Sequence, residues 1–270
     1  MNFLTPNMTR RKAKRTGKGM VLTERDRQVV TAVTDFQVLQ REQLVRLGLF
    51  GSKTRANVRL LRLTKTGYLS RRYLPAVAGT NRALYYPGPL AGDLLGRPLE
   101  TARKERARTK LLSDLFLEHQ LRLTDVRLSF LAQQPLCQID RWLSDVVLRQ
   151  MNLPLIPDAY IEYRLTDKSF AAFIEFDRGT ETLTRWDGKA RGYLSLAASG
   201  RYQTAFNRKF FRVLVLAHST KRLAHLRSSI LRHTDRIFWF TTLAQLVEAG
   251  PFGHIWFRPR GDEFHSLTES

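Results

Sequence analysis

Ile156-Pro157-Asp158-Ala159-Tyr160-Ile161 and Phe173-Ile174-Glu175-Phe176-Asp177-Arg178-Gly179-Thr180-Glu181 thread acidic side chains through stretches that otherwise read as β-strands. Successive strand residues alternate between faces, so Glu175 and Asp177 share one face while Ile174 and Phe176 take the other. Asp158 could join them from a neighbouring strand. Three carboxylates at a sheet edge form a hard oxygen cage of the kind that holds one or two magnesium or manganese ions. Such ions catalyse phosphodiester cleavage. Asp158, Glu175 and Asp177 are therefore the expected metal ligands.

The order of these residues resembles the PD-(D/E)xK nuclease signature on its usual strand pair. Where that family places lysine, this chain has Asp177. Lys189, in a stretch that reads as helical, could bring a replacement ammonium to the same place, which completes the expected catalytic set of Asp158, Glu175, Asp177 and Lys189. Lys168 is a weaker candidate, because it lies in the apparent hairpin turn Leu165-Thr166-Asp167-Lys168-Ser169. Asp145 could add a carboxylate from the preceding segment. The competing reading of the same residues is structural: Asp177 pairs with Arg178, and Asp158 caps a turn.

Outside this stretch the charge is strongly biased. The chain has 45 Lys plus Arg against 24 Asp plus Glu, a formal charge of +21 over 270 residues. Residues 1–110 hold 24 basic and 7 acidic side chains, a net of +17, so the first part of the chain is the expected footprint of a polyanion. Arg10-Arg11-Lys12-Ala13-Lys14-Arg15 reads as a basic arm within residues 1–20, or as a solubilising tail. The single Cys137 excludes an intramolecular disulfide and a cysteine-rich zinc site. No run approaches the length of a membrane helix, Met1 to Gly19 lacks the apolar centre of a secretory signal, and a cytoplasmic, DNA-associated protein is expected. The basic segments are not joined to a long apolar helix face, so membrane-surface binding is disfavoured.

Residues 21–98 read as a winged helix-turn-helix. Thr23 is a candidate N-cap with Asp26 three residues on, and Val29, Val30, Val33 and Phe36 follow at helical spacing. A short helix over Arg41 to Leu47, with Leu44 and Leu47 inward, ends at Gly48 to Gly51. A third helix starts at Ser52 and runs to Gly67, with Val58 and Leu61 expected inside and Lys53, Arg55, Asn57, Arg59 and Arg62 offering donors to DNA. Tyr68 to Leu74 and Arg82 to Tyr86 read as a hairpin, or wing, on which Arg71, Arg72 and Arg82 could touch the flanking backbone. The alternative is a winged module for protein contacts with solvated arginines.

Residues 99–134 read as a helical connector, starting with Arg103-Lys104-Glu105-Arg106 and carrying an apolar stripe through Leu111, Leu112, Leu115, Phe116 and Leu121. His119 on it reads more readily as a packing residue than as a ligand. From 135 to 260 strands alternate with helices: strands at 136–143, 159–164, 171–177, 211–217 and 237–240, helices at 183–198 and 220–232. Arg212 to Ala217 is nearly unbroken apolar, which predicts burial on both faces. Residues 261–270 read as a tail. The expected class is thus α+β/α/β: winged helix-turn-helix, helical connector, and a mixed-sheet, restriction-endonuclease-like domain.

The wing, the His119 and Thr124-Asp125 helix, Trp142 and Asp145, Pro157-Asp158-Ala159, the Glu175 to Glu181 block, Tyr193 and Phe240-Thr241-Thr242-Leu243 together resemble the replication-relaxation family of bacterial plasmids and other mobile elements, over roughly residues 23–257. The resemblance implies DNA binding in plasmid replication and relaxation, with a nuclease-like second domain. Two functions stay open. One is a nicking or cleaving enzyme that uses magnesium or manganese. The other is a DNA-binding accessory or regulator without catalysis, whose nuclease-like domain binds DNA ends or partners, and in which Asp177, Arg178 and Glu181 form an internal ion network. The partners implied are DNA, a second copy of the chain, and plasmid replication or transfer proteins. Relaxase chemistry is disfavoured, because the six histidines show no metal-ligand spacing.

Overall fold

The computed structural model describes residues 21–75, 81–96, 113–166 and 168–269. The basic arm, the 76–80 hairpin tip, the Arg103 to Arg106 run with Leu111 and Leu112, and Asp167 lie outside the described residues. The chain divides into two compact units, Met1–Thr124 and Asp125–Ser270.

In the first unit, α1 (Glu24–Phe36) begins at a capping box: Asp26 N–H donates to Thr23 Oγ1, and Thr23 N–H donates to Asp26 Oδ2 at 2.6 Å. β1 (Leu39–Gln40) leads into α2 (Arg41–Arg46), and Ser52 caps α3 (Lys53–Lys65). β2 (Leu69–Leu74) and β3 (Arg82–Pro87) pair antiparallel, and β1 adds to the free side of β3. α4 (Ala91–Leu95) follows. Val29, Val30 and Val33 of α1 pack with Leu44, Ala56, Leu60, Leu63, Leu69 and Tyr85 in one core.

The inward face of α3 differs from the expected one. Val58 and Leu61 are 54% and 37% exposed, while Ala56, Leu60 and Leu63 are fully buried. The sequence contains both stripes, but only Ala56-Leu60-Leu63 continues at i, i+4, i+7; the Val58-Leu61 stripe runs out at Lys65. On α2 the buried pair is Gln43 and Leu44 rather than Leu44 and Leu47, because Gln43 Nε2 reaches the carbonyl of Leu121 at 3.0 Å.

α5 (Asp114–Leu131) contains the division between the units. Leu117 and Leu121 pack in the first unit with Val38, Leu74, Leu84 and Tyr86, whereas Leu115 is exposed.

The second unit holds a mixed five-stranded sheet in the order β4-β5-β6-β7-β8. β4 (Cys137–Ser144), β5 (Ala159–Leu165) and β6 (Lys168–Asp177) form an antiparallel meander; β7 (Arg212–Ala217) and β8 (Phe238–Thr242) continue it in parallel. α6 (Asp145–Leu148) follows β4. The β6-to-β7 crossover carries α7 (Leu183–Ala198) and α8 (Arg201–Phe206), and the β7-to-β8 crossover carries α9 (Thr220–Leu231). α10 (Leu243–Ala249) follows β8. The class is therefore α+β with a mixed sheet, and β7 is an interior strand, as its apolar run predicts. Phe173, Val213, Val215, Phe238 and Phe240 form the sheet face covered by Trp186, Ala190, Tyr193 and Leu196 of α7 and by Leu223, Leu226 and Ile230 of α9.

Candidate functional site

Glu175 and Asp177 continue the parity of Phe173 along β6, so both emerge on the face that α7 covers. Extending the β5–β6 register by one residue beyond Ala159–Ile174 puts Asp158 opposite Glu175. Asp158 lies just before β5, half-buried, and its Oδ2 accepts the Phe176 N–H at 2.8 Å.

Glu175 is fully buried, and both its oxygens have partners from α7. Tyr193 O–H donates to Oε1 at 2.6 Å, and Lys189 Nζ donates to Oε2 at 2.8 Å. Lys189 Nζ is also 2.9 Å from Glu181 Oε2. Trp186, Lys189 and Tyr193 stand at i, i+3 and i+7, the spacing that puts three side chains on one helix face. Burial pushes the Glu175 carboxyl up to about 7; the Asp158 charge adds to this, and Lys189 and the Tyr193 hydroxyl oppose it. Burial pulls the Lys189 ammonium down, but Glu175, Asp158 and Glu181 outweigh that and hold it charged, above the ordinary lysine range.

Two residues on, Asp177 is committed elsewhere. Arg222 of α9 grips it with two hydrogen bonds, Nε to Oδ1 at 2.9 Å and Nη2 to Oδ2 at 2.8 Å. Trp186 Nε1 donates at 2.7 Å and the Gly179 N–H at 2.5 Å. Burial alone would raise this carboxyl; the Arg222 and Trp186 hydrogen bonds overcome it and hold Asp177 below the usual carboxylate range. Arg222 is thus its bidentate partner. Gly179 makes the tight turn after β6 at φ +85°, and a Cβ there would lie 2.5 Å from the His218 ring.

The structure therefore brings together Asp158, Glu175 and Lys189, and holds Asp177 beside them through Arg222, Trp186 and the Gly179 N–H. Asp145 lies at the start of α6 against Arg149, and Lys168 is exposed at the start of β6. Among the described residues, no three Asp, Glu, His or Cys side chains form a ready metal cage. The donor set facing one place is two carboxylates, Asp158 and Glu175, with the Lys189 ammonium between Glu175 and Glu181 and the Tyr193 hydroxyl on the other Glu175 oxygen.

In the first unit, the donors proposed for DNA separate into exposed and tethered groups. Lys53, Arg55 and Arg62 are exposed on α3. Arg59 instead turns back to α1: its Nε donates to Asp26 Oδ1 at 2.5 Å, its Nη2 to Oδ2, and Nη2 also to the Val21 carbonyl at 3.2 Å. Asp26 is fully buried, and although burial opposes it, the Arg59 hydrogen bond keeps its carboxyl below the ordinary range. Asn57 Oδ1 accepts from Arg41 Nη1 at 3.0 Å. Arg72 pairs with Asp114 at 2.8 Å, Arg82 pairs with Glu118, and Arg71 lies 4.9 Å over the Tyr73 ring. The structural part of Arg59 was not readable from α3 alone; Tyr193, Trp186 and Arg222 likewise reveal their partners only in three dimensions.

No helix among the described residues is long and apolar enough to cross a membrane. No curated protein matches the chain. The structure of the restriction endonuclease FokI bound to DNA aligns over 83% of this chain and 43% of that one, at 11% identity and a TM-score of 0.29, which carries no conclusion about a shared fold. The sequence pattern of the replication-relaxation family matches residues 30–214, over two thirds of the chain. This chain belongs to the replication-relaxation family.

Proposed function

We propose that the chain binds duplex DNA through its first unit, as a winged helix-turn-helix with α3 in the major groove and the β2–β3 hairpin on the flanking backbone. The observation that carries this is the outward face of α3: Lys53, Arg55, Arg62 and Lys65 are exposed on a helix without a single acidic residue. Cations spaced along one helix meet phosphates and base edges, and the net +17 of residues 1–110 steers the polyanion to it. The test is fluorescence anisotropy of a labelled duplex across a salt series. Each neutralised phosphate contributes about −0.9 to the slope of log K against log salt, so Arg55→Ala and Arg62→Ala should each flatten it by about that much. A wild-type affinity indifferent to salt would sink this reading.

The gathering of Asp158, Glu175 and Lys189 favours a second activity, cleavage of a DNA strand with magnesium or manganese in a nuclease-like second unit. Such an ion would be held by Asp158 and Glu175 and would supply Lewis acidity and an activated water. The chain's own residues fix the carboxylates and hold the Lys189 ammonium where it can donate to an anionic phosphoryl oxygen. Supercoiled plasmid incubated with manganese should be nicked by the wild type and left intact by Glu175→Gln. Nicking that survives Glu175→Gln would place the chemistry elsewhere.

A further inference from the structure

Resting on the duplex-binding reading, we propose that Val58 and Leu61 read the 5-methyl group of thymine in the major groove, so that α3 selects A·T pairs through their thymine side. Val58 and Leu61 stand at i and i+3, both exposed, at 54% and 37%. Exposed Arg55 and Arg62 flank them at i−3 and i+4 of Val58, so this is an apolar spot inside a cationic face rather than an isolated surface residue.

The other candidate readers on α3 are constrained. Arg59 is held by Asp26 in the capping box of α1. Asn57 has its Oδ1 engaged by Arg41. Bidentate recognition of adenine needs that oxygen as an acceptor together with the amide N–H as a donor, so Asn57 offers chiefly its donor side outward. The thymine methyl is the apolar feature that base edges present in the major groove, and it is the natural partner for two aliphatic side chains brought there by Arg55 and Arg62. The charge around the patch selects this occupant: an anionic duplex is drawn to it, whereas a second copy of the helix would bring its own Lys53, Arg55, Arg62 and Lys65 against it.

The probes are alternating poly(dA-dT) and alternating poly(dA-dU), which differ only in the thymine methyl, competed against a labelled duplex for the full chain. The wild type should prefer poly(dA-dT) by about fourfold for each methyl buried. Val58→Ala and Leu61→Ala, both at exposed positions, should bring the ratio toward one while leaving the salt slope unchanged. Equal wild-type affinity for the two polymers overturns the inference while duplex binding stands. A preference that survives both substitutions overturns it as well, as does a dimer that either substitution converts to monomer in sedimentation. If neither polymer binds, duplex binding itself fails and this inference falls with it.

Discussion

Replacing Lys189 by Met keeps the length and apolar stem of the side chain but removes the ammonium that neutralises Glu175. Glu175 is fully buried and the Lys189 side chain is 15% exposed, so solvent can replace little of the lost charge. Breaking a buried ion pair by removing one partner costs about 3–5 kcal/mol, because the remaining charge is left uncompensated. Glu181, at 22% side-chain exposure, can turn to water and should add little. The Tyr193 hydroxyl stays on Glu175 Oε1 and limits the loss to the lower part of that range. For a unit of this size, about 3 kcal/mol lowers Tm by roughly 6–12 °C. The pH dependence identifies the cause. The Glu175 carboxyl is raised in the folded protein, so its protonated form favours folding below the ordinary glutamate range, and that contribution disappears as pH rises through about 7. Without Lys189 the carboxyl is pushed up further. The stability gap between wild type and Lys189→Met should therefore be widest above pH 7 and shrink toward pH 5, where Glu175 takes up a proton. Adding Glu175→Gln should recover part of the loss at neutral pH. Urea denaturation across pH 5–8 measures all of this; a gap below about 1 kcal/mol at pH 8, or one independent of pH, would refute the buried pair as the source of the effect.

Arg59→Ala should lower stability by about 3 kcal/mol by stranding the buried Asp26, and leave the slope of DNA affinity against salt close to wild type; a flattened slope with unchanged stability would return Arg59 to the DNA-contacting set. Arg222→Met should destabilise the second unit by about 3 kcal/mol at neutral pH, with Trp186 and the Gly179 N–H still holding Asp177. The Asp177 carboxyl is depressed in the folded state, so this contribution is present above the ordinary aspartate range and is lost as pH falls through the depressed value. The variant and wild type should accordingly converge in acid, and a gap that persists there would mean that Arg222 acts through packing.

The strand period made the shared face of Glu175 and Asp177 legible, because alternation holds wherever one sheet face is covered. It could not show that the two carboxylates serve different partners: those partners, Lys189 and Tyr193 for one and Trp186 and Arg222 for the other, come from helices later in the chain. Most strands and both long helices of the second unit were also legible, since each carries its own periodicity; α7 occupies Leu183–Ala198 as expected. The short α8 and α10 were missed, since one or two turns hold too few residues to show a period. On α3 two apolar stripes compete within one helix, and the choice between them depends on continuity over a third position, which Leu63 supplies and Lys65 denies. The part played by Asp26 was half legible. Its capping box with Thr23 is local, whereas its grip on Arg59 spans two helices.

The Asp177 carboxylate joins β6 to the first turn of α7 through Trp186 and to α9 through Arg222. One acid thereby fastens a strand and the longest helix of each crossover at a common point. Native-state hydrogen exchange should find the amides of α7 and α9 opening together as a single cooperative segment, and a substitution at 177 should release both at the same denaturant concentration rather than one after the other.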